Sequence, residues 1–301
     1  MQNKFSIFLI VFIGWFCSCE KTIHLTVADQ PAKLVVDGSI ENGQQPIIIL
    51  STSLNYFSTI TAEELASSFV HNAVVSISDG IRSVRLKEFS YKDSVSGYVG
   101  YFYTTDPLLP SQALRGKVNT TYSLVIQTPD SLTYTASSTI PPIAKKCDSL
   151  WWLPAPAAND DTTLAVVMGR FTDPPGLGNY VRGYTRVNSE PFYPPANSVF
   201  DDQFTDGTIY DFQIVKGQRR GGSNTFNNDT DDFFRKGDTV TLRLSNIDKG
   251  TYDFWRTWEF GYQSVGNPFA SPTKVLSNIS GNALGVFAGY ASQYKTIVIP
   301  K

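Results

Sequence analysis

The chain reads as a mainly β protein: an N-terminal immunoglobulin-like β-sandwich followed by a second β-rich domain with one aromatic helix. Three observations predict this. Thr, Ser, Val and Tyr are plentiful while long runs of Ala, Leu, Glu and Lys are absent, a composition that fits pleated strands. Short apolar or alternating runs recur between Gly, Pro and Asp turn signals, as in all-β domains. Only one stretch, Tyr252 to Val265, repeats its large residues at helical spacing.

In the first half, Lys33 to Ile40 (KLVVDGSI) reads as a strand, bent or bulged at Asp37-Gly38. Pro46 to Ser51 (PIIILS) is an apolar run suited to a central strand. Leu54 to Ser68 is a polar excursion in which EELASSF holds one helical turn. Asn72 to Ser78 alternates, and Asp79-Gly80 turns the chain into Arg82 to Glu88. Gly97 to Thr104 and Thr121 to Thr128 alternate again. Pro129-Asp130 then turns the latter into Leu132 to Thr139 as a hairpin partner. These strands place the sandwich at residues 32–143, with Pro141-Pro142 as a stiff linker.

The second domain, 144–301, opens with Asp148 to Leu153 (DSLWWL). Leu164 to Thr172 and Tyr180 to Val187 look like a strand pair joined across Asp173-Pro174-Pro175-Gly176. Thr208 to Val215 and Asp238 to Ser245 are further strands, separated by a polar, glycine-rich loop. In the helix, Phe254, Trp258 and Tyr262 recur every four residues, a stripe expected to lie on a sheet. Asn278 to Tyr290 is rich in glycine that lets strands twist and approach closely, and Tyr294 to Pro300 closes the sheet.

Charge and chemistry narrow the functional classes. Lys and Arg number 25 and Asp and Glu 27, so nothing points to nucleic acid or an anionic lipid surface. The two histidines, His24 and His71, lack partners at metal-ligand spacing, and no HExxH or GxSxG run is present. Asn227 to Asp232 offers oxygen ligands on alternate residues but lacks the glycine and closing Glu of a calcium loop. It reads as a solvated acidic loop, and neither a metal nor a cofactor is expected. A glycosidase would need only two carboxylates, and no pair stands out. Exposed aromatics among Trp151, Trp152, Trp255 and Trp258 are the best candidates for ligand contact.

The first residues set the compartment. Lys4 precedes an apolar run from Phe5 to Phe16, then Ser18 and Cys19. The run is shorter than the roughly 20 residues of a membrane span and reads as a cleaved export signal. The small residue before Cys19 makes it resemble a bacterial lipoprotein signal. That resemblance implies a leader at 1–18, acylation of Cys19, and a tether at 19–31. Phe16 departs from the aliphatic residue usual three places before the cysteine. Cys147 is then the one cysteine left unmodified in the mature chain, a small half-buried residue rather than a nucleophile.

CEK after the leader, LVVDGSI, LSTSLNYF, NAVVSISDG, TYSLVIQTPDSLTYTASSTIPP, DSLWW and SNISGNALGVFAGY follow in this order. Together they resemble an uncharacterised family of Bacteroidota outer-membrane lipoproteins, domain of unknown function 4249. Its members are commonly encoded beside TonB-dependent receptors. The resemblance implies a non-catalytic outer-membrane lipoprotein, anchored by lipid and partnered with a receptor β-barrel. The alternatives are a stand-alone adhesion or envelope-structural module and, less favoured, a glycoside hydrolase. Surface-displayed lipoproteins of this phylum usually carry acids just after the cysteine; few follow Cys19, so that mark is faint and the leaflet is undecided, although the surface is slightly favoured. Asp-Ser or Asp-Thr followed by an aliphatic residue or Thr resembles the O-glycosylation site of exported Bacteroidota proteins, which marks Ser94, Ser131, Ser149, Thr162 and Thr239.

Overall fold

The computed structural model describes residues 31–54, 61–92, 97–156, 161–220, 232–265, 267, 269–271 and 273–301. The chain is mainly β. Its first eight strands are β1 (Leu34–Glu41), β2 (Ile47–Thr52), β3 (Val74–Ser78), β4 (Ser83–Arg85), β5 (Lys87–Lys92), β6 (Val99–Thr104), β7 (Thr120–Gln127) and β8 (Thr133–Ile140). They pair as β1-β2-β6-β5 in one sheet and β4-β3-β7-β8 in another. Lettered in chain order, this is A-B-E-D against C′-C-F-G, the strand order of an immunoglobulin-like sandwich. Val36, Ile40, Ile48 and Leu50 of the first sheet share a core with Val75, Ile77, Leu124 and Ile126 of the second. Tyr122, at the start of β7, accepts a hydrogen bond from the Lys117 N–H at 2.8 Å, the corner expected of a tyrosine at that place.

Two local features explain the sandwich's edges. The Arg82 to Glu88 run, expected as one strand, is split: β4 pairs with β3, and β5 pairs with β6 in the other sheet. Leu86, buried between them, is the pivot at which the chain changes sheet. Helix α1 (Ala62–Ser67) is the expected turn in the polar excursion, fixed by a reciprocal capping box between Thr61 and Glu64.

The remaining strands are β9 (Lys146–Pro154), β10 (Leu164–Thr172), β11 (Tyr180–Val187), β12 (Val199–Phe200), β13 (Ile209–Ile214), β14 (Phe234–Arg235), β15 (Thr239–Ile247) and β16 (Leu284–Val298). Helix α2 (Lys249–Gln263) precedes β16. The long β16 was expected as a glycine-rich stretch followed by a separate last strand. It runs unbroken for 15 residues. Its first half pairs parallel to β1 and its second half antiparallel to β15. Gly285 makes the first pairing possible: its φ is +96°, and a Cβ there would come within 1.9 Å of the Val36 carbonyl oxygen.

One sheet therefore runs β12-β11-β15-β16-β1-β2-β6-β5. Segments 32–143 and 144–301, expected as consecutive domains, both contribute strands to it. Residues Ala32–Lys301 form one compact unit, and the expected boundary falls in the five residues between β8 and β9. A third sheet of β9, β10, β13 and β14 packs Cys147, Val167 and Phe171 against Val240, Leu242 and Leu244 of β15.

Two expectations are corrected. Strands β10 and β11 have the expected bounds, but they do not pair with each other. β10 pairs with β9, β13 and β14, while β11 pairs with β12 and β15. The connecting loop carries the chain between sheets because Gly176 and Gly178 take positive φ. Asp202 and Asp206 hold its backbone N–H groups. Nor is β1 bent at Asp37-Gly38, since its pairing with β2 and β16 is uninterrupted there. Gly38 instead faces the core, where a Cβ would lie 3.0 Å from Ile48 and 3.1 Å from Phe287.

Candidate functional site

Strand alternation puts Leu34, Val36 and Ile40 of β1 in the sandwich core. It puts Val35, Asp37, Ser39 and Glu41 on the opposite face, where they line a cavity of about 770 Å³. Arg182 and Tyr184 of β11, Arg243 of β15 and Val286 and Tyr290 of β16 complete the floor, and Phe254, Trp255 and Trp258 of α2 form a wall. A volume of this size suits a small ligand, for which pockets span roughly 300–1,000 Å³.

Specific bonds hold the wall in place. Asp248 caps α2 by accepting from the Thr251 N–H at 2.8 Å. Its second oxygen accepts from the Ser138 hydroxyl and the Thr139 N–H of β8. The carboxylate thus bolts the helix start to the sandwich. Further along, Thr257 Oγ1 accepts from the Leu276 N–H at 3.0 Å, and Gln263 donates to the Ala196 carbonyl at 3.0 Å. Phe254 is buried with Ile247, Val286 and Ala288, as a stripe lying on a sheet requires.

The cavity's charges are nearly all engaged. Glu259 of α2 is buried and accepts from the Ser198 N–H and hydroxyl. It pairs with Arg220 at 2.9 Å and lies 4.0 Å from Arg182. Arg182 donates Nε to the Ser198 hydroxyl and Nη1 to Tyr290, and its guanidinium sits 3.3 Å above the Trp255 ring. Arg220 lies 4.8 Å over Trp258, which also stacks on Tyr262 at 5.1 Å. Arg243 covers Tyr184 at 3.7 Å and reaches Glu41 at 3.7 Å. Glu41 also accepts from the Tyr294 hydroxyl at 2.5 Å. Burial pushes the Tyr294 phenol up to about 12, helped by Glu41. Burial likewise raises the Tyr290 phenol, with Tyr184 adding to it and Arg182 opposing.

Asp37 is the exception. Among the described residues its carboxylate has no hydrogen-bond or ion-pair partner. Solvent reaches it through the cavity, yet the surrounding protein desolvates it and raises its pKa, against the weaker pull of Arg182. The Nε of Arg243 is buried and also lacks a partner among the described residues.

Of the four candidate tryptophans, Trp255 and Trp258 meet in this cavity. Trp151 and Trp152 lie on β9 and line neither cavity described here. Trp151 faces Arg170 at 5.8 Å, and Trp152 packs against the third sheet's core. Cys19, Ser94 and residues 227–231 of the acidic loop lie outside the described residues. Ser131, Ser149 and Thr162 are exposed, and Thr239 is half-buried at the start of β15. His71 sits 2.5 Å from Glu88 with its ring edge-on to Tyr101, and it does not line the cavity. Cys147 is buried, which pushes its thiol up to about 11 and leaves it a poor nucleophile.

A second cavity of about 380 Å³ opens between β11, β13 and β15, lined by Phe171, Phe200, Phe212, Ile214, Leu242 and Leu244 among others. Its lining is mostly apolar, and two of its polar groups are engaged: Asp201 accepts from Tyr252 at 3.0 Å, and Thr205 donates to Asp173 at 2.7 Å. The larger cavity, with its open carboxylate and unused guanidinium nitrogen, is the better equipped for recognition.

Sequence reasoning missed Asp37, Arg182, Arg220, Arg243 and Tyr290. The signal was present in YVRGYTRV and TLRLS, where arginines alternate with apolar residues in strands that have no solvent face to spare. No curated protein matches the chain. A family model matches residues 20–296. By that match the chain belongs to the family described as Domain of unknown function (DUF4249).

Proposed function

We propose that this protein is a non-catalytic, lipid-anchored outer-membrane protein that captures a ligand beside a TonB-dependent receptor. The observation that carries the capture role is the 770 Å³ cavity, with Asp37 open inside it and its walls fixed by hydrogen bonds. The anchor follows from the leader and Cys19, and the receptor from the resemblance to Bacteroidota lipoproteins encoded beside such barrels. Acyl chains contribute about 0.8 kcal/mol per buried methylene, so more than one chain gives a stable anchor. Confinement to the membrane plane raises the effective concentration beside the barrel, and weak docking then suffices. No helix among the described residues is long and apolar enough to cross a membrane.

The cavity's carboxylates favour binding over hydrolysis. Asp37 and Glu41 stand four residues apart on one strand, about 13 Å at the backbone. Paired-carboxylate glycoside chemistry uses separations of about 5–9.5 Å. Glu41 is moreover held by Tyr294 and Arg243. Exposed Ser131, Ser149 and Thr162 offer the access that O-glycosylation requires.

A tagged chain purified from mildly solubilised outer membrane is expected to bring down a large β-barrel in near-stoichiometric amount. Recovery of the chain alone overturns the accessory role.

A further inference from the structure

We infer that the cavity takes a short zwitterionic peptide, its ammonium at Asp37 and its carboxylate at the arginine-rich end; this deepens the capture role proposed above and presupposes it. Asp37 and Glu41 share the cavity face of β1. Across the cavity, the three guanidinium groups of Arg182, Arg220 and Arg243 are met, among the described residues, by two carboxylates, Glu41 and Glu259. Among the described residues one positive charge is therefore in excess of its ion-pair partners, while Asp37 feels the through-space attraction of Arg182 but makes no hydrogen bond or ion pair. A ligand that carries opposite charges at its two ends satisfies both.

The span sets its length. Asp37 and Glu41 stand four positions apart on the strand, which is about 13 Å, the reach of about three or four extended peptide residues. Asp37 is open to solvent in the cavity, and a charge-assisted hydrogen bond to each terminus is stronger than a neutral one. Arg243 lines the cavity, and a guanidinium is the group suited to a ligand's carboxylate.

The aromatic wall argues against the sugar that tryptophans commonly bind. Sugar stacking needs a bare ring face. Arg182 covers Trp255 at 3.3 Å, and Trp258 carries both Arg220 at 4.8 Å and Tyr262 at 5.1 Å. On these faces the rings hold guanidinium groups in position. Recognition here is by charge.

Calorimetric titration of the full lipidated chain in mild detergent tests this with four probes: tetra-alanine, its N-acetyl form, its C-terminal amide and cellotetraose. Tetra-alanine is expected to bind, and each cap to weaken it by at least about tenfold, the worth of a charge-assisted hydrogen bond. Asp37→Asn is expected to erase the effect of the acetyl cap while keeping that of the amide. The capped peptides make the test independent of how any variant folds. Equal binding of capped and free peptide, preference for cellotetraose, or no binding of any probe overturns the peptide assignment. Co-purification with the barrel is a separate readout, so failure here is distinguishable from failure of the accessory role.

Discussion

Asp37 stands in a strand whose other face is core, with Val286 and Ile49 beside it in register. Among the described residues its carboxylate has no partner, and the surrounding protein disfavours its charged form. Its folded pKa is raised, by burial first. The stability it allows is therefore full below the ordinary carboxylate value and is lost as pH rises through the raised one. Asp37→Asn should melt higher than the parent at neutral pH, and the gap should close as pH falls below the ordinary carboxylate range. Thermal unfolding across pH measures this, and an equal or lower melting point at neutral pH would contradict it. A stabilising change of this kind is expected where a residue serves binding rather than folding. The DG pair is a strong turn signal, and it masked this role. In β1 the glycine makes room for Ile48 and Phe287, while the aspartate points the other way. Sequence spacing does not distinguish a turn glycine from one that relieves crowding.

Among the elements, the segment from β8 to β9 is fixed by a buried ion pair. Lys145 pairs with Asp173 at 2.7 Å, their side chains only 1% and 0% exposed. The lysine also donates to Thr205 at 3.0 Å, and its backbone is held by Asn246 of β15. Lys145→Met leaves Asp173 charged and buried, which should cost about 3–5 kcal/mol. Adding Asp173→Leu should restore most of it, because the pair's desolvation then disappears. Chemical denaturation of the parent, the single and the double variant tests the cycle. The hairpin of β7 and β8 was legible because its turn and alternation are local. The partners of β10 and β11 were not, since the loop between them is anchored by Asp202 and Asp206, some 24 to 30 residues away. Helix α2 was legible from its aromatic spacing, but the cap that aims it, Asp248 on Ser138 and Thr139, joins residues 109 and 110 positions apart.

At the scale of the molecule, one sheet carries a core on one face and a ligand-sized cavity on the other. The mainly β class and the sandwich could be read from strand runs and turns. The cavity could not, because its floor is assembled from β1, β11, β15 and β16, and only long-range pairing brings them together. Trp255 and Trp258 were legible as candidates from residue type. Their guanidinium covers were not, since Arg182 and Arg220 come from distant segments. For such a body to serve a receptor it must stay beside it, and the thiol of Cys19 is the proposed means. The most direct measurement is envelope fractionation of cells carrying Cys19→Ser. The protein should leave the membrane pellet, appear in the soluble fraction, and no longer bring down a β-barrel. Sedimentation with the envelope in the same amount as the parent would contradict the account.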